Sequence, residues 1–255
     1  MAHHYPPDVR KYEVVGALFG ESYRVARCGT AELEVPEGAE IVIEGKILND
    51  VREPEGPFSE FTGYASYRST ENVFVAERVQ MRHDAMFHSI ASGTAADHIL
   101  ISCVAREGEI LNSLRRNLPN VIAVHVPTIT CGAFMAIVQM KKTAEGQPQQ
   151  AIMAALGTET YCKIVVVVDD VDIFNLSDVM WAVATRARAD RDLVFVHRAM
   201  GAILDPISDP VENTLTKVGV DATKPGGADF AERLTIADEQ RARVRRLLSA
   251  SGIRI

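Results

Sequence analysis

The sequence predicts an α+β protein: an antiparallel β block first, then an α/β layer, then a charged C-terminal helix. Three observations carry that reading. Between Tyr23 and Arg82, polar and apolar residues alternate, which is the period of a half-buried strand. From about Asp97, continuous apolar runs alternate with segments of helical spacing, which implies a sheet covered on both faces. The chain has 255 residues, 47% of them apolar, enough for one large or two modest domains with a core that needs no disulfide staples.

In chain order, the first block offers strands at Tyr23–Cys28, Glu32–Val35, Glu40–Glu44 and Val73–Val79, with Pro36-Glu-Gly38 as a turn. So few strands with little to cover them make an incomplete sheet with open edges. A second copy, a second chain or the distal domain has to supply the rest. The period changes within Phe87–His98. The apolar run Ile99–Val104 reads with the strands, and Gly108–Leu118 follows as a helix through Ile110, Leu111 and Leu114. Val121–Val126, Ala133–Val138, Ile164–Val168 and Leu193–Val196 are further strands; Gln149–Leu156 and Asp178–Arg188 are further helices. Ile203–Asp229, rich in Pro, Gly and Asp, reads as an ordered loop or crossing arm. Ala237–Ser249 is a helix with Val244, Leu247 and Leu248 on one side. The resulting division is residues 1–92, 93–230 and 231–255.

Composition removes several function classes. Lys plus Arg is 27 against 34 for Asp plus Glu, a formal charge of −7 with no clustered basic stripe, so nucleic-acid binding is not expected. No stretch approaches the roughly 20 apolar residues that span a bilayer. Met1–Arg10 is polar and short, unlike a signal peptide. Cys28, Cys103, Cys131 and Cys162 form no Cys-x-x-Cys pair and sit beside or within apolar runs, as buried reduced thiols do. Cytoplasmic localisation is the expectation.

The segment with chemical potential is Arg52-Glu-Pro-Glu-Gly-Pro-Phe-Ser-Glu-Phe-Thr-Gly-Tyr64. Glu53, Glu55 and Glu60 are brought close by a backbone that two prolines and a glycine restrict. Glu60 lies between Phe58 and Phe61. A carboxyl group against aromatic surface loses solvation and becomes able to donate a proton near neutral pH, and a second carboxylate nearby raises one of the pair further. The plainer alternative is a rigid surface loop with solvated glutamates.

Glu55-Gly-Pro-Phe-Ser-Glu60, followed by Phe-Thr-Gly-Tyr64, resembles the acidic loop of the UbiD family of prenylated-flavin-dependent decarboxylases. Val35–Gly45 resembles the strand leading into that loop, and Arg82–His88 its Arg-to-His segment with one extra residue. Val168–Phe174, Val179–Arg186 and Asp190-Arg-Asp192 resemble its C-terminal signature. The resemblance runs over Tyr12–Asp221 and corresponds to the C-terminal half of a family member. It implies that the β block is part of a split β-barrel of the flavin-reductase-like kind. It also implies reversible decarboxylation of aromatic or α,β-unsaturated acids on prenylated FMN, with a glutamic acid protonating the carbon that loses CO2. By position Glu60 is that proton donor and Glu55 its coupled partner. The family joins this pair to an arginine and holds the flavin phosphate with a divalent metal, usually Mn²⁺, with K⁺ nearby.

Two departures follow from the same alignment. The N-terminal half, with the arginine, an asparagine and a histidine metal ligand, has no counterpart here. The remaining metal ligand, a glutamate before Tyr-x-x-x-Gly, falls on Lys11, ahead of Tyr12-Glu-Val-Val-Gly16. An ammonium cannot ligate a hard cation, although it can face a phosphate as a point charge. Glu13 is a weaker substitute ligand; it shares the face of Lys11 in a strand and points away in a helix. Lys163, opening the Ile164–Val168 strand, is a second residue that might face the phosphate. The acids Asp169, Asp170 and Asp172 read as turn formers, with Ser177 or Asp178 capping the next helix. His88 and His125 read as packed, hydrogen-bonded histidines, His83 as exposed, and Trp181, Phe134 and Met135 as packing.

Three functional readings stand beside one another. The chain is a subunit of a split decarboxylase, with a second UbiD-like chain supplying the N-terminal half and a flavin prenyltransferase supplying the cofactor. Or it is a small, self-contained homo-oligomeric decarboxylase. Or it is a non-catalytic assembly or regulatory protein that oligomerises through its C-terminal domain, a reading that Lys11 favours.

Overall fold

The structure, a computed structural model, describes residues 8–66, 69–93, 96–226, 230–234 and 236–252. The first seven residues of the polar N-terminal segment, residues 94–95 of the expected break, 227–229 of the expected arm and 253–255 lie outside them. The chain divides into two compact units, Met1–Ile101 with Leu204–Pro206, and Ser102–Ile203 with Ile207–Ile255.

The first unit opens with α1 (Lys11–Phe19), which Gly20 ends in the left-handed conformation at φ 73°. Gly16 is required inside this helix, because a Cβ there would stand 2.9 Å from the Glu21 carbonyl oxygen. Two antiparallel ribbons follow. β1 (Val25–Arg27) pairs with β2 (Glu34–Pro36), and the Cys28 N–H to Leu33 O bond of 2.9 Å closes the turn between them. β3 (Ile41–Glu55) pairs with β4 (Ser69–Met81) over 15 and 13 residues, with register shifts at Glu44/Gly45 and Ile47/Arg52. Gly45 is needed at the first shift, where a Cβ would lie 2.1 Å from the Val75 carbonyl oxygen.

Helix α2 (Ala96–Arg115) is followed, in the second unit, by β5 (Val121–His125), β6 (Met135–Met140), α3 (Gln147–Thr158), β7 (Ile164–Val168), α4 (Leu176–Arg186), β8 (Leu193–Met200), β9 (Thr214–Asp221) and α5 (Asp238–Ala250). The five strands form one mixed sheet in the order β5-β6-β7-β9-β8. β6, β7 and β9 run parallel; β5 and β8 are antiparallel edges. Alternation within each strand sends residues to opposite faces. Ala136, Val138, Met140, Val165 and Val167 meet Cys103, Ile110 and Leu114 of α2 and Ala151, Ile152 and Ala155 of α3 on one face. Ile137, Val166 and Val168 meet Val179 and Ala182 of α4 on the other. Full burial of a side chain such as Val or Ile contributes about 1.5–3 kcal/mol, so this double core dominates the stability of the unit.

The α+β class therefore stands, with antiparallel and mixed sheets and no closed barrel among the described residues. Several element readings need correction. Ile99–Val104 is part of α2, not a strand: Ile99 and Cys103 are buried one turn apart, whereas Ile101 and Val104 are 77% and 57% exposed. A short apolar run has the same appearance in either conformation, and only the 3.6-residue burial period separates them. The expected arm Ile203–Asp229 contains β9, an interior strand of the sheet. Lys217 and Gly219 concealed it, since both are unfavourable in isolated strands. Gly219 is there because a Cβ would meet Ile152 of α3 at 2.0 Å. The β block is two separate ribbons, and β3 extends to Glu55, so Glu53 and Glu55 end a strand instead of belonging to the loop.

Candidate functional site

At the end of β3, Glu55 pairs in register with Ser69 and is exposed. Gly56, at φ 78°, turns the chain into the acidic loop. That loop is closed by its own hydrogen bonds. Ser66 N–H donates to Phe58 O at 2.7 Å, and Phe58 N–H to Ser66 Oγ at 3.1 Å. Glu60 N–H donates to Tyr64 O at 2.9 Å, while Gly63 N–H donates back to Glu60 O at 2.9 Å. The Ser59 hydroxyl donates to Ser92 O at 3.1 Å and anchors the loop to the segment after β4. Glu60 thus sits at the head of a tight turn. It is half-buried, between half-buried Phe61 and a Phe58 that is 51% exposed, and its carboxylate has no hydrogen-bond partner among the described residues. The loop is thus braced by its own backbone, and among the described residues the Glu60 side chain is left without a hydrogen bond.

Lys11 is the first residue of α1 and is exposed. With Arg10, Tyr12, Arg27 and the 28–34 turn it lines a cavity of about 1020 Å³. Glu44, only 5% exposed, braces the far wall: its carboxylate accepts from Gly29 N–H at 3.0 Å, Thr30 N–H at 2.6 Å and the Thr30 hydroxyl at 2.6 Å. Those three donors hold its pKa below the ordinary glutamate value. An adjoining cavity of about 770 Å³ is lined by Tyr12 and Tyr23, stacked with centroids 5.7 Å apart. Arg27 and Glu44 escaped sequence reasoning, because in an alternating strand each reads as an ordinary outward polar residue.

In the second unit Lys163 is half-buried, with its Nζ 4.2 Å from the centroid of the Phe134 ring, a cation–π contact. The acids after β7 are committed to cations and turns. Arg186 bonds Asp169 at 2.8 Å and Asp170 at 2.6 Å, Lys224 bonds Asp170 at 2.6 Å, and Asp172 accepts from Phe174 N–H at 2.9 Å. The cap of α4 is Asn175, which accepts from Ser177 N–H at 3.1 Å, not Ser177 or Asp178. His125 is held as expected, its Nδ1 2.8 Å from Glu107 Oε1 and its ring packed on Phe174. His88, expected to be packed, is exposed, on a segment after β4 where Met86 and Phe87 are exposed as well. Cys103 and Cys162 are buried; Cys28 and Cys131, likewise in no disulfide, are only half-buried. The least expected buried charge is Lys217 of β9, 3% exposed, which donates to Thr160 O at 2.8 Å and to Leu156 O and Glu159 O at 3.4 Å. It closes the C-terminal end of α3, and burial lowers its pKa.

The donor set at Lys11 suits an anion and not a divalent metal. Arg10, Lys11 and Arg27 present cations to the cavity, and no group of three or more His, Cys, Asp or Glu residues converges anywhere among the described residues. In α1, moreover, Glu13 sits two residues from Lys11 on a different helical face, so it does not restore the ligand.

Comparison with known proteins places these features. Residues 1–95 match the 3-octaprenyl-4-hydroxybenzoate carboxy-lyase Rift-related domain and residues 98–222 the C-terminal domain of the same enzymes. Anhydromevalonate phosphate decarboxylase of Methanothermobacter thermautotrophicus is 38% identical over 221 residues, 86% of this chain and 52% of that protein. The UbiD-class enzyme HmfF from Pelotomaculum thermopropionicum, solved with FMN, superposes with a TM-score of 0.86 at 36% identity over 95% of this chain and 55% of that one. Vanillic acid decarboxylase of Sedimentibacter hydroxybenzoicus, in an open form with truncated ShVdcD, gives 0.78 at 30% identity over 93% of this chain and 53% of that one. The chain spans about half the length of the relatives it matches. From the acidic loop to the paired domain matches, the sequence and the fold agree: the chain belongs to the UbiD family.

Proposed function

We propose that this chain is a subunit of a reversible prenylated-FMN-dependent decarboxylase for aromatic or α,β-unsaturated carboxylic acids. A UbiD-like partner chain supplies the N-terminal half. The observation that carries the proposal is the pairing of a braced loop, whose Glu60 has no side-chain partner among the described residues, with a β ribbon whose apolar residues are largely exposed. Ile43, Ile47, Val79 and Met81 of the β3–β4 ribbon are 56%, 64%, 63% and 68% exposed. A ribbon of this kind is half of a structure, here half of a split β-barrel, and the chain portion missing relative to the relatives is the material to complete it. Residues 1–92 would form this half-barrel, 93–230 an oligomerisation domain and 231–255 an arm, with assembly in the cytoplasm.

In this reading prenylated FMN, when bound, accepts the electrons that the departing CO2 leaves behind. Glu60 delivers the proton to the carbon that bore the carboxylate, and in the carboxylation direction it removes that proton. Glu55, exposed at the strand end, is the partner carboxylate of Glu60 in this reading. Phe58 and Phe61 keep water from the carbon centre once the partner closes over the loop. In this reading Lys11 faces the cofactor phosphate.

Purification from the native cell, with native mass spectrometry and an absorption spectrum, tests the assembly. A second family-like chain and a bound flavin support it; an active, flavin-bound homo-oligomer overturns the partner. Lys11 at a metal-ligand position favours the non-catalytic assembly reading, and there Glu60→Gln changes no activity.

A further inference from the structure

We propose that the cavity between the start of α1 and the β1–β2 turn is a metal-free site for a phosphate monoester, with Arg10, Lys11 and Arg27 supplying the positive charge. The inference rests on the proposed cofactor reading and deepens it, because the family resemblance implies a divalent cation here and the side chains present do not accommodate one.

Three features converge. The cavity, about 1020 Å³, has room for a phosphate and the group esterified to it. Its wall carries three cationic side chains against two carboxylates, Glu32 and Glu34, and among the described residues none of the three cations is paired with an acid. The opposing turn is braced from behind: Glu44 consumes the Gly29 and Thr30 N–H groups and the Thr30 hydroxyl. The wall is thereby ordered before anything binds, and the remaining binding groups are the cations. A guanidinium matches two phosphate oxygens with two N–H groups, and an ammonium adds a point charge, so the set neutralises a dianion without a metal. A hard cation would need several oxygen donors at the place where Lys11 adds a positive charge.

The phosphate has two chemical sources, the cofactor or a phosphorylated substrate, and binding measurements separate them. The purified full chain, with any subunit that accompanies it, is treated with chelator and its metal content measured. FMN, riboflavin and butyl phosphate are then titrated by fluorescence and calorimetry, without turnover. FMN binding about tenfold tighter than riboflavin, as loss of charge-assisted hydrogen bonds predicts, with Lys11→Met abolishing the difference, assigns the site to the cofactor phosphate. Equal binding of FMN and riboflavin, with butyl phosphate binding that Lys11→Met abolishes, assigns it to a substrate phosphate. Lys11→Glu should weaken phosphate binding in chelator and regain it with Mn²⁺, a rescue that misfolding cannot mimic. Stoichiometric Mn²⁺ in the untreated protein, loss of phosphate binding on chelation, or unchanged binding in Lys11→Met overturns the proposal. Because no readout depends on decarboxylation, this outcome is separate from whether Glu60 is a proton donor.

Discussion

The two units of this chain treat their apolar residues in opposite ways. In the second, the mixed sheet is packed on both faces, and Ile137, Val138, Val165, Val167 and Val168 are fully buried. In the first, only Gly16, Glu44 and Thr62 are buried among the described residues up to 93, while Leu18, Leu33, Phe58, Tyr64 and Phe87 are mostly exposed. One unit has covered both faces of its sheet within the chain and the other has not covered its ribbons. Contiguous apolar surface of that kind marks an interaction face. The acidic loop and the cationic cavity both lie in the unit that has not, which is where a partner would complete a site.

The sharpest way to break this comparison is the proton donor. In the complete assembly, Glu60→Gln should lower decarboxylation by about 10² to 10⁴-fold, the usual effect of losing a general acid, without altering the thermal transition of the chain. Initial rates and a melting curve on the same preparation check both halves. Next in size is a paired truncation. Ile137→Ala, in the second unit, should cost about 2–5 kcal/mol in denaturant unfolding. Ile47→Ala, on the exposed ribbon, should change the isolated chain by less than about 0.5 kcal/mol and weaken partner association instead. Equal effects on the isolated chain would mean that the ribbon is already covered. Gly219→Ala should cost about 1–3 kcal/mol by forcing a methyl group into Ile152, whereas Gly38→Ala, with open space around it, should be tolerated.

The smallest effect is acid sensitivity in the first unit. The Glu44 carboxylate has a pKa held below its unfolded value by the Thr30 hydroxyl and the Gly29 and Thr30 N–H groups. Its contribution is therefore present above the unfolded carboxylate range and is lost as pH falls through the lowered folded value. Amide exchange at Gly29 and Thr30, corrected for intrinsic rates, should rise across that acidic window, and Glu44→Gln should raise it already at neutral pH. Exchange that stays flat would show that the turn is held by other contacts.

Much was legible without coordinates. The strands β6 and β7 and the helices α3 and α4 announce themselves because both faces of the sheet are buried, leaving unbroken valine and isoleucine runs between helical repeats. The Glu55–Tyr64 segment, a strand end and the loop after it, was legible as a composition no ordinary turn requires. β9 was not, since its buried lysine and glycine acquire their meaning only from α3: Lys217 closes the end of that helix, and Gly219 makes room for Ile152. Nor was the α2 conformation of Ile99–Val104, because a local run carries no information about which side will be covered.

The order of residues by itself determined the α+β class, the acidic loop and the lysine ahead of Tyr12-Glu-Val-Val-Gly16, since each resides in near neighbours along the chain. Tertiary structure alone decided that Arg10, Lys11 and Arg27 share one cavity, that Glu44 braces its wall, and that Glu60 has no hydrogen-bond partner among the described residues. Those facts depend on distances between residues far apart in sequence, which no local pattern of charge or hydropathy encodes.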